Sequence, residues 1–503
     1  TIHYSDVQGG KDSILTNDNG TVDWGDGNID ADPLFVDADS SGDYHLTDLS
    51  PCISAAADSV QIAGTWYVAP TTDIEGNPRP SPAGTIPDMG AYEHENGAGD
   101  YNGPVWYVDA SATLPYANGS AFAKFIKIQF AIDASTSGDT VLVAAGTYTE
   151  NIDYGGKNLV IISTAGRATT IIDGNQSGSV VKFINGEDST AVLMGFTITN
   201  GAAENGGGIH LDQSSPSLYD LTVSQNTASS NGGGIYCYDQ SSPILKNSSV
   251  VNNSSAVHAG GIRCWNDSNI KLENVVIANN TASQFGGGMH CRNNSSPTLM
   301  NVTIINNNAD VFGGGIYLRS ESNPIIVNSI VWGNTPQNIY FRAGESPGNI
   351  TFSYSDLQGG QDSIVTNGGT VTWGDGNVDI DPLFVDADNG DYHLSDLSPV
   401  ISAGADSVQI EGVWYFAPTT DTDGNPRPSP ENTVPDMGAY ENENGAGNYN
   451  GPVWYVDGSF ELSYANGSAS AKFSKIQYGI NAAANGDTVM VASGIYVENI
   501  DFG

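Results

Sequence analysis

Basic residues are scarce in this chain. Lysine and arginine number 16 of 503 residues against 57 aspartates and glutamates, a formal net charge of −41. A surface of that sign repels phosphate, which excludes DNA or RNA as a natural ligand. Cysteine is nearly missing too, at four residues, with no Cys-x-x-Cys pair and no histidine cluster to hold zinc. No apolar run is long enough to span a bilayer. Neither an initiating Met nor a signal peptide is visible, so the true termini are expected to lie elsewhere.

Glycine, by contrast, is abundant at 61 residues, and it is patterned. Gly206 to Ile209, Gly232 to Ile235, Ala259 to Ile262, Gly286 to Met289 and Gly313 to Ile316 form five combs spaced by 26, 27, 27 and 27 residues. A fixed period of this length is the mark of a solenoid. Other columns keep the register: Leu218, Leu245, Leu272, Leu299 and Ile326, then Val223, Val250, Ile277, Ile304 and Val331. Apolar and polar residues alternate within each period, as in short strands, and strands stacked coil on coil are parallel. Every side chain then sits about 4.8 Å above its equivalent. Asn226, Asn253, Asn280, Asn307 and Asn334 form a polar column that predicts a hydrogen-bonded amide ladder. Cys237, Cys264 and Cys291 share one column with Leu211 and Leu318, so the thiols are expected to be reduced core residues in place of leucine. The sequence therefore predicts an all-β, right-handed parallel β-helix with coils of about 27 residues.

With these combs and their downstream Asn, the chain resembles the right-handed parallel β-helix proteins of bacterial surfaces, a pectate-lyase-like superfold, and in particular the repeats of polymorphic outer-membrane proteins. Its flanks resemble the same group. Trp106 to Asp109, Lys127 to Ala134, Gly138 to Val141 and Gly146 to Tyr148 look like the opening of such a domain. Asp32 to Phe35, Asp43 to Leu46, Ser50-Pro51, Asp73 to Pro80 and Asp88 to Glu93 look like its close. The resemblance implies export, to the medium or the cell surface of a bacterium.

Closing motifs precede opening motifs because the flanks are duplicated. Tyr4 pairs with Tyr354, Trp66 with Trp414, Asp88 with Asp436 and Tyr148 with Tyr496, at offsets that fall from 350 to 348. Residues 1–93 thus read as the C-terminal part of one unit, 94–104 as a junction, 105–441 as a complete unit, 442–452 as a second junction and 453–503 as the start of the next unit. At about 27 residues per coil, a unit of this length has room for about a dozen coils. Each opening is expected to hold one short helix as a lid on the stack, at 125–134 and 473–483. In the first, Ile126, Phe130 and Ile132 would make the apolar face.

Acidity belongs to the flanks: residues 156–351 carry 12 acids and 9 bases, leaving a net of −38 for the rest. Within the flanks Asp26, Asn28, Asp30 and Asp32 alternate, followed by Asp37, Asp39 and Asp43, with copies at Asp375, Asn377, Asp379, Asp381, Asp386, Asp388 and Asp391. Alternation on an extended chain puts oxygen ligands on one face, which suits Ca²⁺. The other reading is a solvated acidic loop. On the coils, His210, Tyr236, Arg263, His290 and Tyr317, then Asp212, Tyr238, Trp265, Arg292 and Arg319, alternate with the inward column and should point outward. Such a ladder of rings and guanidinium groups suits a glycan, although aromatic residues are also what any strand favours. His45 and His258 read as structural.

Two functional readings follow. The first is a non-enzymatic extracellular structural or adhesive protein, a fibre segment whose partners are neighbouring copies of its own unit. The second is a secreted protein that binds or degrades polysaccharide. The coils' carboxylates are scattered, and the His-plus-Gly and Arg-x-Lys signatures of a polygalacturonase are missing, so the first reading carries the expectation that the chain is not an enzyme.

Overall fold

The computed structural model describes every residue except 17–19, 39–41, 48–49, 82, 96–102, 114–116, 122, 397, 432, 444–451, 460–466, 468–471 and 503. Most of both junctions, and Asp39, therefore lie outside the described residues. The chain divides into two compact units, one of residues 1–148 and 158–165 and one of 149–157 and 166–503.

The second unit holds the coils. One face is an eight-stranded parallel sheet that includes Ile209–Asp212, Ile235–Tyr238, Ile262–Trp265, Met289–Arg292, Ile316–Arg319 and Ile339–Phe341. A second face stacks Ala202–Asn205, Thr227–Asn231, Ser254–Ser255, Thr281–Ala282 and Asn308–Ala309. The third contains the long strands Ile244–Val251, Lys271–Ala278 and Thr298–Ile305. Register follows the sequence period: Ile235, Ile262 and Met289 pair in one column, and Cys237, Cys264 and Cys291 in another. The inward columns are fully buried, and all four cysteines are free and buried. Each such aliphatic side chain contributes about 1.5–3 kcal/mol by leaving water.

Polar columns close the corners. Asn226 donates from Nδ2 to Asn253 Oδ1 at 3.0 Å, and Asn253, Asn280 and Asn307 each donate in turn to the next Asn at 2.9–3.0 Å. Every member also bonds a carbonyl of the coil below, such as Val250 for Asn280. Asn247, Asn274, Asn301 and Asn328 occupy a second corner with φ between 50° and 54°, a left-handed conformation that Asn tolerates better than most residues.

Not all of the unit coils. After Trp373 the chain makes short antiparallel pairs, Phe384–Asp386 with Asp391–Leu394 and Ser407–Ile410 with Val413–Phe416, and residues 380–441 fold back along the outside of the third face. This is why eight strands, rather than about a dozen, line the first face. Asn274 Nδ2 donates to the Thr420 carbonyl, Asn301 Nδ2 to that of Asp436 at 2.9 Å, and Asn328 Nδ2 to that of Ala405 at 2.8 Å. Arg427, fully buried, donates from Nε to Glu441 at 2.6 Å and from Nη1 to Asn274 Oδ1 at 2.6 Å. Ile330, Val400, Ile401 and Met437 make an apolar core beside these contacts.

In the first unit, Val105–Val108, Thr140–Val143 and Val160–Ser163 pair in parallel. The helix Ile128–Ala134 packs on the first two of these strands. It is shorter than expected and differently turned: Ile128, Ala131 and Ile132 are buried, whereas Ile126 and Phe130 are exposed. The second helix is Ile476–Ala482.

Candidate functional site

The eight-stranded face carries the chain's principal concentration of rings and guanidinium groups. Alternation along each strand sends Ile235 and Cys237 inward, and Tyr236 and Tyr238 outward. The two outward rows are not equivalent. Asp212, Tyr238, Trp265, Arg292 and Arg319 are half-buried, as expected of a surface row. In the other row His210 is half-buried, but Tyr236, Arg263, His290 and Tyr317 are all buried, Arg263 to 1% exposure. That expectation of an open ladder needs correction, and the cause is a flanking column. His258, Phe285 and Phe312, 27 residues apart and each just before its comb, lean over the row: His258 meets His290 at 5.0 Å between ring centroids, Phe285 meets Tyr317 at 4.8 Å and Phe312 meets Tyr340 at 4.3 Å.

The half-buried row forms the outer surface. Tyr238 and Trp265 meet edge to face at 5.4 Å, and the Arg263 and Arg292 guanidinium groups stack over Trp265 at 5.1 and 5.2 Å. Arg319 and Arg342 share Glu345, whose carboxyl is held down at about 2, first by the Arg319 bond. Arg263 and Arg292 have no ion-pair partner among the described residues. Burial lowers the Arg263 pKa to about 9, and its Nη1 donates to His290 Nδ1 at 2.6 Å. His290 is therefore neutral, pushed well down by burial and then by Arg263, with its proton on Nε2, an atom left without a hydrogen-bond partner. His258 falls to about 3 by burial and the same arginines. Around Trp265 the face thus gathers the positive charges of Arg263, Arg292, Arg319 and Arg342 beside the carboxylates of Glu345 and, in the same outward row, Asp212, in a protein of net charge −41. Chemically, it can take a chain that offers flat sugar faces to the rings and anionic substituents to Arg292 and its neighbours. Phe285, Phe312, Tyr340 and Arg342 belong to this face and were missed in the outward rows. For Phe285 and Phe312 the signal was the 27-residue column from Asn231 through Phe312, whereas Tyr340 pairs with Tyr317 after a shorter step that breaks the period.

The alternating acids behave differently. Asp30 Oδ1 accepts from Gly9 N at 2.7 Å, Asp32 from Leu34 N at 3.0 Å and Asn28 Oδ1 from Ser5 N at 3.1 Å; Asp379, Asp381 and Asn377 repeat these bonds. The alternation places the Asn28 and Asp30 oxygens on backbone amides of the adjacent turn and that of Asp32 on an amide of its own turn. Asp43 binds His45 Nδ1 at 2.6 Å, and Asp391 does the same for His393. Among the described residues no three His, Cys, Asp or Glu side chains come together as a metal set. Asp26, Asp37, Asp375, Asp386 and Asp388 join no such group. His393 also meets Asp423 at 2.9 Å and stacks on Tyr440, and the Asp423 bond foremost raises its pKa to about 9. The repeated Asp-Tyr-His-Leu of 43–46 and 391–394 is thus a clamp between a hairpin and a turn.

The model of the family described as right handed beta helix region matches residues 207–381. The chain is a β-helix repeat protein. No curated relative matches its sequence. Among solved structures this β-helix is similar to pectate lyase Pel9A, at 15% identity over 67% of this chain and 96% of that one, with a TM-score of 0.44. It is also similar to the pectin methylesterase from carrot, at 13% identity over 58% and 97% of the two chains, with a TM-score of 0.31. At such identities the likeness is one of fold. Both structures are enzymes, and the expectation that this chain is not one is corrected on that finding. No helix among the described residues is long and apolar enough to cross a membrane.

Proposed function

We propose that this β-helix is a secreted polysaccharide-active protein that engages an anionic polysaccharide along its eight-stranded face. This is the second of the two readings the sequence allows. The observation that carries it is the collection of Arg263, Arg292, Arg319 and Arg342 beside Tyr238 and Trp265 on one side of an otherwise acidic protein. Repulsion by the acidic flanks disfavours polyanions everywhere else, so the local excess of arginine marks where one is received. Arg263 lies beneath Trp265, so it orients the ring, while Tyr238, Trp265, Arg292 and Arg342 meet the sugar.

Polygalacturonate, with a neutral glucan as control, provides the test. Titration calorimetry should detect binding of the polyuronide alone, weakening as salt rises. Trp265→Ala and Arg292→Ala should each weaken it about tenfold or more, a loss of about 1.4 kcal/mol or greater. Release of reducing ends or unsaturated uronides, measured on the same samples, separates cleavage from binding alone. Equal affinity of both variants, or equal affinity for the neutral glucan, would overturn the reading.

A further inference from the structure

A second group of rings stands on a hairpin outside the parallel sheets, where Ser407–Ile410 pairs antiparallel with Val413–Phe416. Its turn is Glu411-Gly412, both at positive φ, 49° and 84°, the conformation that a two-residue hairpin turn needs. Alternation along the strand puts Trp414 and Phe416 on one face, and the register places Gln409 and Ser407 beside them. The two rings are nearly parallel, with 26° between their planes and 6.2 Å between their centroids, yet Trp414 is 54% and Phe416 68% exposed. Large rings left side by side in water mark a contact surface. The sequence repeats the arrangement at an offset of 348, where Gln61 pairs with Trp66 in the hairpin of Ser59–Ile62 with Thr65–Val68 and Trp66 is 62% exposed. Both hairpins are exposed, the second in a unit that contains its own coils and the first in a unit that contains the strands Val105–Val108 and Thr140–Val143 that follow it.

We propose that Trp414 and Phe416 form a platform for the flat face of an insoluble, uncharged polysaccharide, a site separate from the anionic-glycan face. Charge selects against the other polymers. Residues 401–426 carry four carboxylates and no lysine or arginine, which turns away polyuronides and anionic lipid surfaces alike. Area selects against a protein. Two rings at these exposures offer roughly 200–300 Å² of apolar surface, far below the about 800 Å² per partner of a stable protein interface. A sugar is of matching size: its C–H face stacks on an aromatic ring while its hydroxyls reach the polar groups alongside. Gln409 is held there by donating from Nε2 to the Gly412 carbonyl at 3.3 Å, and its Oε1 can accept from a sugar hydroxyl. Rings this exposed do not enclose a chain. A soluble chain would lose its conformational freedom for two stacking contacts, whereas a chain already packed in a solid has little left to lose.

Depletion of the full chain from solution by microcrystalline cellulose, an uncharged β-glucan, is the test, with soluble polygalacturonate titrated in parallel. The wild-type chain should bind the solid saturably, and added salt should not weaken that binding because no charges meet. The double variant Trp66→Ala, Trp414→Ala, which removes the indole from both hairpins, should bind about tenfold more weakly or worse. Trp66→Tyr with Trp414→Tyr keeps a ring at each place and should retain most of the affinity. Both double variants should melt with the wild type, since the indoles are exposed, and should titrate polygalacturonate unchanged. Trp265→Ala should do the reverse, losing polygalacturonate and keeping cellulose, so failure of this platform and failure of the eight-stranded face are told apart. No binding of the wild-type chain to cellulose, or equal binding by the double alanine variant, would overturn the proposal. Binding to phosphatidylcholine vesicles that requires the same two tryptophans, without binding to cellulose, would overturn it in favour of a lipid surface.

Discussion

Gly287 lies where neighbouring coils come closest: a Cβ there would stand 2.5 Å from the Asn308 carbonyl oxygen. Because that atom is backbone, no rotamer change relieves the contact. Gly287→Ala should lower stability by about 2–4 kcal/mol, read from denaturant midpoints. Ala259 is the contrasting case, since it holds φ 56° at the comb position where others have Gly. Its left-handed strain and the chain entropy that Gly would add are of similar size, so Ala259→Gly should stay within about 0.5 kcal/mol of wild type. Asp356 makes a third case. Its Oδ1 accepts from Ile380 N at 3.2 Å, but its Oδ2 is buried and unpaired, and burial raises its pKa well above the ordinary 3.8. In the first copy the matching Asp6 receives the Cys52 thiol, whereas Val400 replaces Cys52 here. A raised carboxyl keeps its proton in the folded state, so it opposes folding increasingly as pH climbs above about 4 toward the folded value. Asp356→Asn should therefore raise the melting temperature at pH 7, and that gain should vanish in melts taken below about pH 4.

At the scale of the coil, the amide ladder and the inward columns were legible in the sequence because stacking puts like on like at every 27th residue. Asn280 shows what a ladder rung supports. Its Oδ1 accepts from both the backbone N and the Nδ2 of Asn253 at 3.0 Å, and its Nδ2 donates to Asn307 and the Val250 carbonyl. Asn280→Ala leaves these buried groups unpaired, at a cost of about 3 kcal/mol or more. Hydrogen exchange should show the protection lost at Asn253 N first. The covering of Arg263 and His290 was not legible in the same way. Alternation says only that a side chain leaves the core, and whether solvent reaches it depends on the cross-section of the coil. That cross-section brings His258, Phe285 and Phe312, five residues earlier in each coil, over the row. The helix was misjudged for a related reason: its face was chosen by spacing, while the strands it packs on select Ile128, Ala131 and Ile132.

For the molecule as a whole, the fold-back of residues 380–441 escaped the sequence because its contacts have no period. Asn274 and Arg427 stand 153 residues apart and meet through a single geometry. Arg427 and Glu441 are both fully buried, and Asp436 and Glu441 are each raised by burial, so the guanidinium is the group that makes two buried carboxyls tolerable. Removing one partner of a buried pair costs more than the pair's net worth, because the remaining charge stays desolvated. Arg427→Ala should destabilise the closing segment by about 3–5 kcal/mol. Asn274→Ala should cost about 1.5–3 kcal/mol for the hydrogen bond to the charged Arg427, and somewhat more for the Nδ2 bond to the Thr420 carbonyl that goes with it. The Asn ladder and inward columns do not depend on the closing segment, so the effect should be local. Thermal melts of Arg427→Ala should split into an early transition, in which residues 380–441 and the outer face of 271–305 gain hydrogen exchange together, and a later one for the coils. If Arg427 instead served the coil stack itself, both variants would shift a single transition. The double variant is then the decisive measurement: with Arg427 already gone, Asn274→Ala should cost less than it does alone, because their shared bond is already lost and only its bonds from Nδ2, such as that to the Thr420 carbonyl, remain to be removed.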